Sequence, residues 1–425
     1  MQIKQNVISG VLVSFIALPL CIAIASASQF PVMSGILTAI VGGILVSQIN
    51  GSHLTIYGPA AGMIAVIIDA VEKLGNGDFV QGYKYTICAI LLVGILQFFL
   101  SFFKIIEIMR KFPEIIIRAM MMAIGIIVVV KQIFVINGFK PASVDVIGLF
   151  EYLPKSFLGM EIENFAIGLF AIISILLWNK YLENKKYFRV VPVYLLVIIA
   201  GIIIANFLHI SSNQHFLNPN YASPITSNFV VVPDKIISAI NFPDFRAINS
   251  LQFWLATLTI FAVGTLETLL SCLAIDKIDP QKRTTNLQKE LRAIGIGNAI
   301  CGSIGALPMI AEIVRSTANV RYKATSKYSN FVHGFSLLLM ISIFSFILKF
   351  IPLAVLAGML IIIGINMINL KLFYQIFKNS KSDVLVIILV IFFTLKIDLL
   401  AGILSGLIFW LINQKLFPHV KKIKK

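Results

Sequence analysis

The stretch Gly305-Ala306-Leu307-Pro308-Met309-Ile310-Ala311-Glu312-Ile313-Val314-Arg315 decides how this chain must be read. It sets a proline, small residues and two opposite charges in apolar surroundings. In a hydrocarbon layer such a charge costs at least about 2.5 to 3.5 kcal/mol on insertion scales. Gly58-Pro59-Ala60-Ala61-Gly62 begins in the same way. Proline at a first helical turn loses no needed hydrogen bond, and small neighbours let a ligand approach the free N–H groups at the positive helix end. Two such starts at the bilayer midplane would form one anion site. Two starts at the surface would be ordinary helices.

The rest of the chain puts these stretches in a membrane. Its 425 residues are 58% hydrophobic and only 13% charged, with a mean hydropathy of +0.93, more apolar surface than one soluble core can hide. A soluble multi-domain enzyme, a disordered chain and a disulfide scaffold are excluded by the same composition. The net charge of +16 does not point to nucleic acid, because the basic residues fall in short clusters between apolar runs. Cys21, Cys88, Cys272 and Cys301 lie in or at the ends of apolar segments and are expected to pack. His53, His209, His215, His333 and His419 are scattered, so no metal site is expected, and His333 is read as a packing residue. Neither a P-loop, a dinucleotide fingerprint nor a nucleophile elbow is present. The expectation is a protein that is not an enzyme and needs no organic cofactor.

Apolar runs predict about fourteen helical spans, near 7–27, 33–49, 58–71, 84–103, 115–136, 162–178, 190–208, 252–275, 289–304, 308–320, 329–348, 352–370, 383–395 and 398–416. Lys4 before an apolar run that ends in Ala25-Ser26-Ala27 also has the look of a signal peptide. Keeping that run as the first span, however, puts about 25 of the 35 Lys and Arg on one side. Lys104, Arg110, Lys111, Arg118, Lys180, Lys185, Lys186, Arg189, Lys277, Lys282 and Arg283 are among them. Both termini are therefore expected in the cytoplasm of a multi-pass inner (cell) membrane protein. Residues 417–425 form a basic tail, with Lys421, Lys422, Lys424 and Lys425 set against anionic headgroups.

The polar segment 209–250 reads as an external loop that separates a first seven-span repeat, 1–208, from a second, 251–416. Seven is odd, so the second repeat starts on the opposite side and the two are inverted. The Pro-led spans are then the third of each repeat, which makes them half-helices in spans 3 and 10. Glu267 lies mid-span in FAVGTLETLLSC, and Glu312 and Arg315 share a helical face. A structural Glu–Arg pair and an ion path both fit. Asp69 and Lys131, near external span ends, read as snorkelling residues.

Three segments resemble the bacterial sulfate permease (SulP) family of inorganic anion transporters. They are ALPLCIAIASASQFPVMSGILTAIVGGILVSQINGSHLTIYGPAAGM, the DKIDPQKR loop and IVRSTANV. The resemblance implies an all-α integral membrane fold of fourteen spans in two inverted repeats, with a core domain that carries the substrate and a gate domain against which it moves. It implies an anion between the starts of spans 3 and 10, near Pro59, Ala60, Ala61 and Gly62 and near Ala311, Glu312, Ile313 and Arg315. Sodium-coupled bicarbonate members bind sodium at an acid in the eighth span and a hydroxyl one turn later, which match Glu267 and Ser271. Those members carry Asp at the Glu267 position and a small residue at Glu312, so with Glu312 as a further coupling-ion candidate a proton is as admissible as sodium. A C-terminal STAS domain, present in many members, is not expected after the last span.

The function expected is secondary active transport of a small inorganic anion by alternating access, with sodium or proton coupling. Sulfate is preferred and bicarbonate stands close behind, since backbone dipoles and one Arg read charge and size more than shape. The alternatives are a passive anion channel of the same fold and a nucleobase permease. The partners expected are the anion and the lipid bilayer, with a homodimer as one admissible assembly.

Overall fold

The computed structural model describes residues 2–103, 112–139, 141, 146–183, 185, 188, 191–208, 228–231 and 239–416. Each of the fourteen expected spans is a helix. In the first repeat these are α1 (Gln2–Ala27), α2 (Val32–Ile49), α3 (Ile64–Gly75), α4 (Phe79–Leu100), α5 (Glu114–Ile136), α7 (Ile162–Leu182) and α8 (Val193–Phe207). The second repeat supplies α9 (Leu251–Ile278), α10 (Leu287–Ile304), α11 (Ile313–Arg321), α12 (Tyr328–Leu348), α13 (Leu353–Ile368), α15 (Lys381–Lys396) and α16 (Leu399–Leu416). Two helices lie outside the sequence reading: α6 (Val146–Leu158) and α14 (Leu370–Asn379). Both fall between the fifth and sixth spans of their repeat, so the halves match in this detail as well. Pro31, Pro113, Pro192 and Pro352 each stand immediately before a helix, where the missing N–H has no ladder partner to lose.

Among the described residues, eight helical runs are long and apolar enough to cross a bilayer. The helices α3 and α11 are not, because 12 and 9 residues rise only about 18 and about 14 Å against a core of about 30 Å. Ahead of them run two short strands, β1 (Ile56–Gly58) and β2 (Ile310–Glu312). They pair antiparallel, with Ile56 opposite Glu312, Tyr57 opposite Ala311 and Gly58 opposite Ile310. Each half-span is thus extended backbone followed by helix. The pairing satisfies backbone groups that lipid could not, and it aims α3 and α11 in opposite directions from one point. Pro59 and Pro308 accordingly lie outside the first helical turns where the sequence placed them, α11 beginning instead at Ile313 behind Glu312.

The helices segregate into two packed groups. Helices α1 to α4 and α9 to α12 pack chiefly on one another, while α5, α7, α8, α13, α15 and α16 form the second group. The groups are the core and gate of the fold, meeting where α1 lies on α8 and α13 and where α3 lies on α5. The first span, α1, is central to the core, with Ala17, Cys21, Ile22 and Ala25 fully buried. Of the expected external loop, residues 228–231 and 239–250 are described: Val230 donates its N–H to Ile351 O at 3.0 Å, and Phe245–Asn249 form a 3-10 turn. The tail 417–425, Lys104, Arg110, Lys111, Lys186 and Arg189 lie outside the described residues.

Candidate functional site

The strand pair is held from both sides by buried polar groups. On the β2 side, Asn298 of α10 accepts the Met309 N–H at 2.6 Å and donates to Met309 O at 3.1 Å. The same amide donates to Gln97 of α4 at 2.8 Å, and Gln97 donates to Thr265 of α9 at 3.0 Å. Ser34 donates to Gly305 O and Thr38 to Leu307 O, each at 2.8 Å. Gly305 ends α10 at φ 79, a left-handed turn that a side chain adopts only with strain. On the β1 side, Ser316 Oγ of α11 accepts the Ile56 N–H at 2.9 Å. Asn319 donates to Leu54 O at 2.8 Å.

The anchor of β1 is a residue that the sequence reading passed over. Glu290 of α10 is fully buried and accepts the Tyr57 hydroxyl at 2.7 Å and the N–H groups of Gly51 and Ser52 at 2.9 and 3.0 Å. Asn50 donates to the same hydroxyl at 2.6 Å. Lys289 and Arg292 on either side give Glu290 the look of a solvated first turn, and its Tyr57, Gly51 and Ser52 partners lie more than 200 positions away, Cys272 Sγ at 3.4 Å being nearer along the chain.

The two helix starts differ. Pro59 and Ala60 lead through a 3-10 turn, Ala61–Met63, into α3, and no side chain caps it. Its first N–H groups meet no capping side chain. At α11 the cap is Glu312, whose carboxylate accepts the Arg315 backbone N–H at 2.7 Å and is within reach of the Val314 N–H. Ile313 and Val314 remain exposed, so this first turn lies open.

The Arg315 side chain turns the other way. Fully buried, it donates from Nη2 to Pro59 O at 3.1 Å, while Nε and Nη1 find no partner among the described residues. Its guanidinium lies against Gly58, near Cys21 of α1 and His333 of α12. Glu312 and Arg315 are therefore joined through backbone, and the guanidinium lends positive charge from behind the strands. His333 is fully buried, as a packing residue should be, with both ring nitrogens unpartnered among the described residues.

Glu267 of α9 is 8% exposed and its Oε2 has no hydrogen-bond partner among the described residues. The carboxylate sits against Gly62, where a Cβ would overlap it, so the close approach needs glycine there. Glu312 is within electrostatic reach of it. Ser271 is buried one turn further along the same helix. The structure thus gathers Pro59, Ala60, Ala61, Gly62, Ala311, Glu312, Ile313, Arg315 and Glu267 around one point, with Ser271 a turn away.

Asp69 and Lys131 are not snorkelling. Lys73 pairs with Asp69 at 3.0 Å and reaches Asp398 of the gate at 3.9 Å, and Lys131 of the gate pairs with Glu72 at 3.6 Å. Asp69, Glu72, Lys131 and Asp398 border a cavity of about 90 Å³ between core and gate, which draws charged side chains inward instead of toward headgroups. At the far end of α11, Arg321 pairs with Glu183 beside α7 at 2.6 Å.

Half-helices that meet at the centre of inverted repeats, with core and gate packed around them, define a membrane transporter. The sulfate permease family model matches residues 3–390, and the chain belongs to that family. Its members are transporters, not enzymes. The chain is 24% identical over 420 residues to a Bacillus subtilis protein that bears the name of a sulfate transporter, YvdB, covering 96% of this chain and 72% of that one. It is 22% identical to the bicarbonate transporter BicA of Picosynechococcus over 407 residues, 95% of this chain and 69% of that one. The solved transmembrane domain of a cyanobacterial BicA superposes with a TM-score of 0.78 at 22% identity, covering 95% and 97% of the two chains, and so shares the fold.

Proposed function

We propose that this protein is a secondary active transporter of a small inorganic anion, sulfate ahead of bicarbonate, coupled to sodium or protons. One observation carries the reading: antiparallel strands bring the starts of two oppositely directed half-helices together beside the unpartnered carboxylate of Glu267. Helix N-termini attract an anion without committing to its shape, and Arg315 adds charge from behind. Glu267 offers a free oxygen to a sodium ion or a proton, with the Ser271 hydroxyl as a second sodium ligand. Core and gate then move against each other to expose the site alternately. The chain lies in the inner membrane with both termini in the cytoplasm, in keeping with its lysine and arginine asymmetry. A homodimer is one assembly that this membrane setting admits.

The test is uptake of radiolabelled sulfate and bicarbonate into proteoliposomes with sodium and proton gradients imposed separately. Saturable accumulation driven by one gradient is expected. Passive, non-saturating flux under every gradient would replace the transporter with a channel.

A further inference from the structure

Although α3 and α11 occupy corresponding places, only α11 is capped by an acidic side chain. N-caps are chiefly Ser, Thr, Asp and Asn, whose short side chains satisfy the orphan donors. Glu312 does this with a longer side chain and a full negative charge, accepting the Arg315 N–H at 2.7 Å. The group that would bind an inorganic anion at this helix start is therefore already bound to a carboxylate. A second observation points to a ligand in the same place: the buried, unpartnered Oε2 of Glu267. Two carboxylates beside an arriving anion would make three negative groups at one point, which even Arg315 would not balance.

We propose, on the anion-site reading above, that Glu312 is a tethered competitor of the transported anion. While ionised, it holds the start of α11 closed to other anions. An anion takes the N–H groups when the carboxylate accepts one proton from the water that the site faces, becoming a neutral acid that can donate its O–H to the newcomer. The titratable and charged groups facing Glu312 are Arg315 on its own helix, Glu267 on α9, Tyr194 on α8 and Cys21 on α1. Binding of the anion and of the proton are thereby linked, each raising the affinity for the other.

The test is equilibrium binding to the purified full chain in detergent, with sulfate, nitrate and bicarbonate as probes. Sulfate and nitrate do not change protonation near neutrality, and bicarbonate is corrected for its own equilibrium. Above the pH at which Glu312 ionises, the parent should lose affinity by about tenfold per pH unit. Glu312→Ser keeps a hydroxyl cap and removes the charge. It should bind about tenfold or more tightly than the parent at high pH, with a flat profile. Glu312→Gln, which preserves the shape, serves if the serine variant does not fold, and its profile should also be flat. A residue that merely capped the helix would leave the profile unmoved. Variants that keep the affinity and pH slope of the parent would overturn the proposal while leaving the anion site standing. If neither parent nor variants bind any probe at any pH, the anion-site reading fails and the proposal falls with it.

Discussion

Glu267 and Gly62 form the tightest pairing of opposite requirements in the site, a carboxylate on one helix that needs the absence of a side chain on another. If this carboxylate carries the coupling ion, Glu267→Gln keeps the shape and removes the charge. Gradient-driven accumulation should then be lost while exchange of anion for anion continues, both measured in proteoliposomes. Accumulation as steep as in the parent would remove Glu267 from the coupling path. Gly62→Ala tests the contact itself. Overpacking at this point should cost about 1 to 3 kcal/mol, read as a lower Tm in detergent, and should slow uptake. An unchanged Tm with full uptake would mean that the carboxylate moves aside freely.

At the scale of elements, the strand pair and its supports decide where the helix starts sit. Tyr57→Phe removes one hydroxyl and leaves Glu290 with one donor fewer in a buried place. A loss of about 1 to 3 kcal/mol is expected, with weaker apparent affinity for the transported anion as β1 loosens. Thermal unfolding and concentration-dependent uptake would check the two effects separately. The half-spans themselves were legible in the sequence, because Pro59 and Pro308 beside small residues interrupt otherwise continuous apolar runs, and Glu267 stands out as a charge inside one. The strands were not. Three residues show no period, and the partner of Tyr57 is Ala311, far along the chain. Glu290 was hidden for the same reason, being made structural by residues that only the fold brings near. The amphipathic α14 was missed because α13 runs into it almost without a break, leaving no composition step to mark the boundary.

Across the whole molecule, each half-helix ends in ion pairs to the gate, Glu72 and Lys73 at the end of α3 and Arg321 at the end of α11. Because α3 and α11 point oppositely, these pairs lie toward opposite faces of the membrane. Partly exposed pairs are worth up to about 1 kcal/mol each, enough to shift a conformational equilibrium by about fivefold. Lys131→Gln and Arg321→Gln should therefore bias the transporter toward opening on opposite sides. The measurement is the labelling rate of a cysteine placed at Ala60, with Cys21, Cys88, Cys272 and Cys301 replaced, by an impermeant thiol reagent applied from each side. Changes on the same side for both variants, or on neither, would mean that the pairs do not latch the gate.

The antiparallel register between β1 and β2 has a meaning for assembly as well as for binding. Each strand borrows its hydrogen-bond partners from the other repeat, and Ser9 and Asn319, Asn6 and Thr325, and Ser34 and Gly305 join the repeats again around it. A nick in segment 209–250 should consequently leave two polypeptides that still find each other. Co-expressed as separate chains, they should restore uptake, whereas either alone should aggregate or be degraded, its half-span exposing unpaired backbone to lipid. A single half recovered monodisperse would contradict this. The repeats would then behave as obligate subunits that share one chain, neither holding its own half-helix in place until the other has been made.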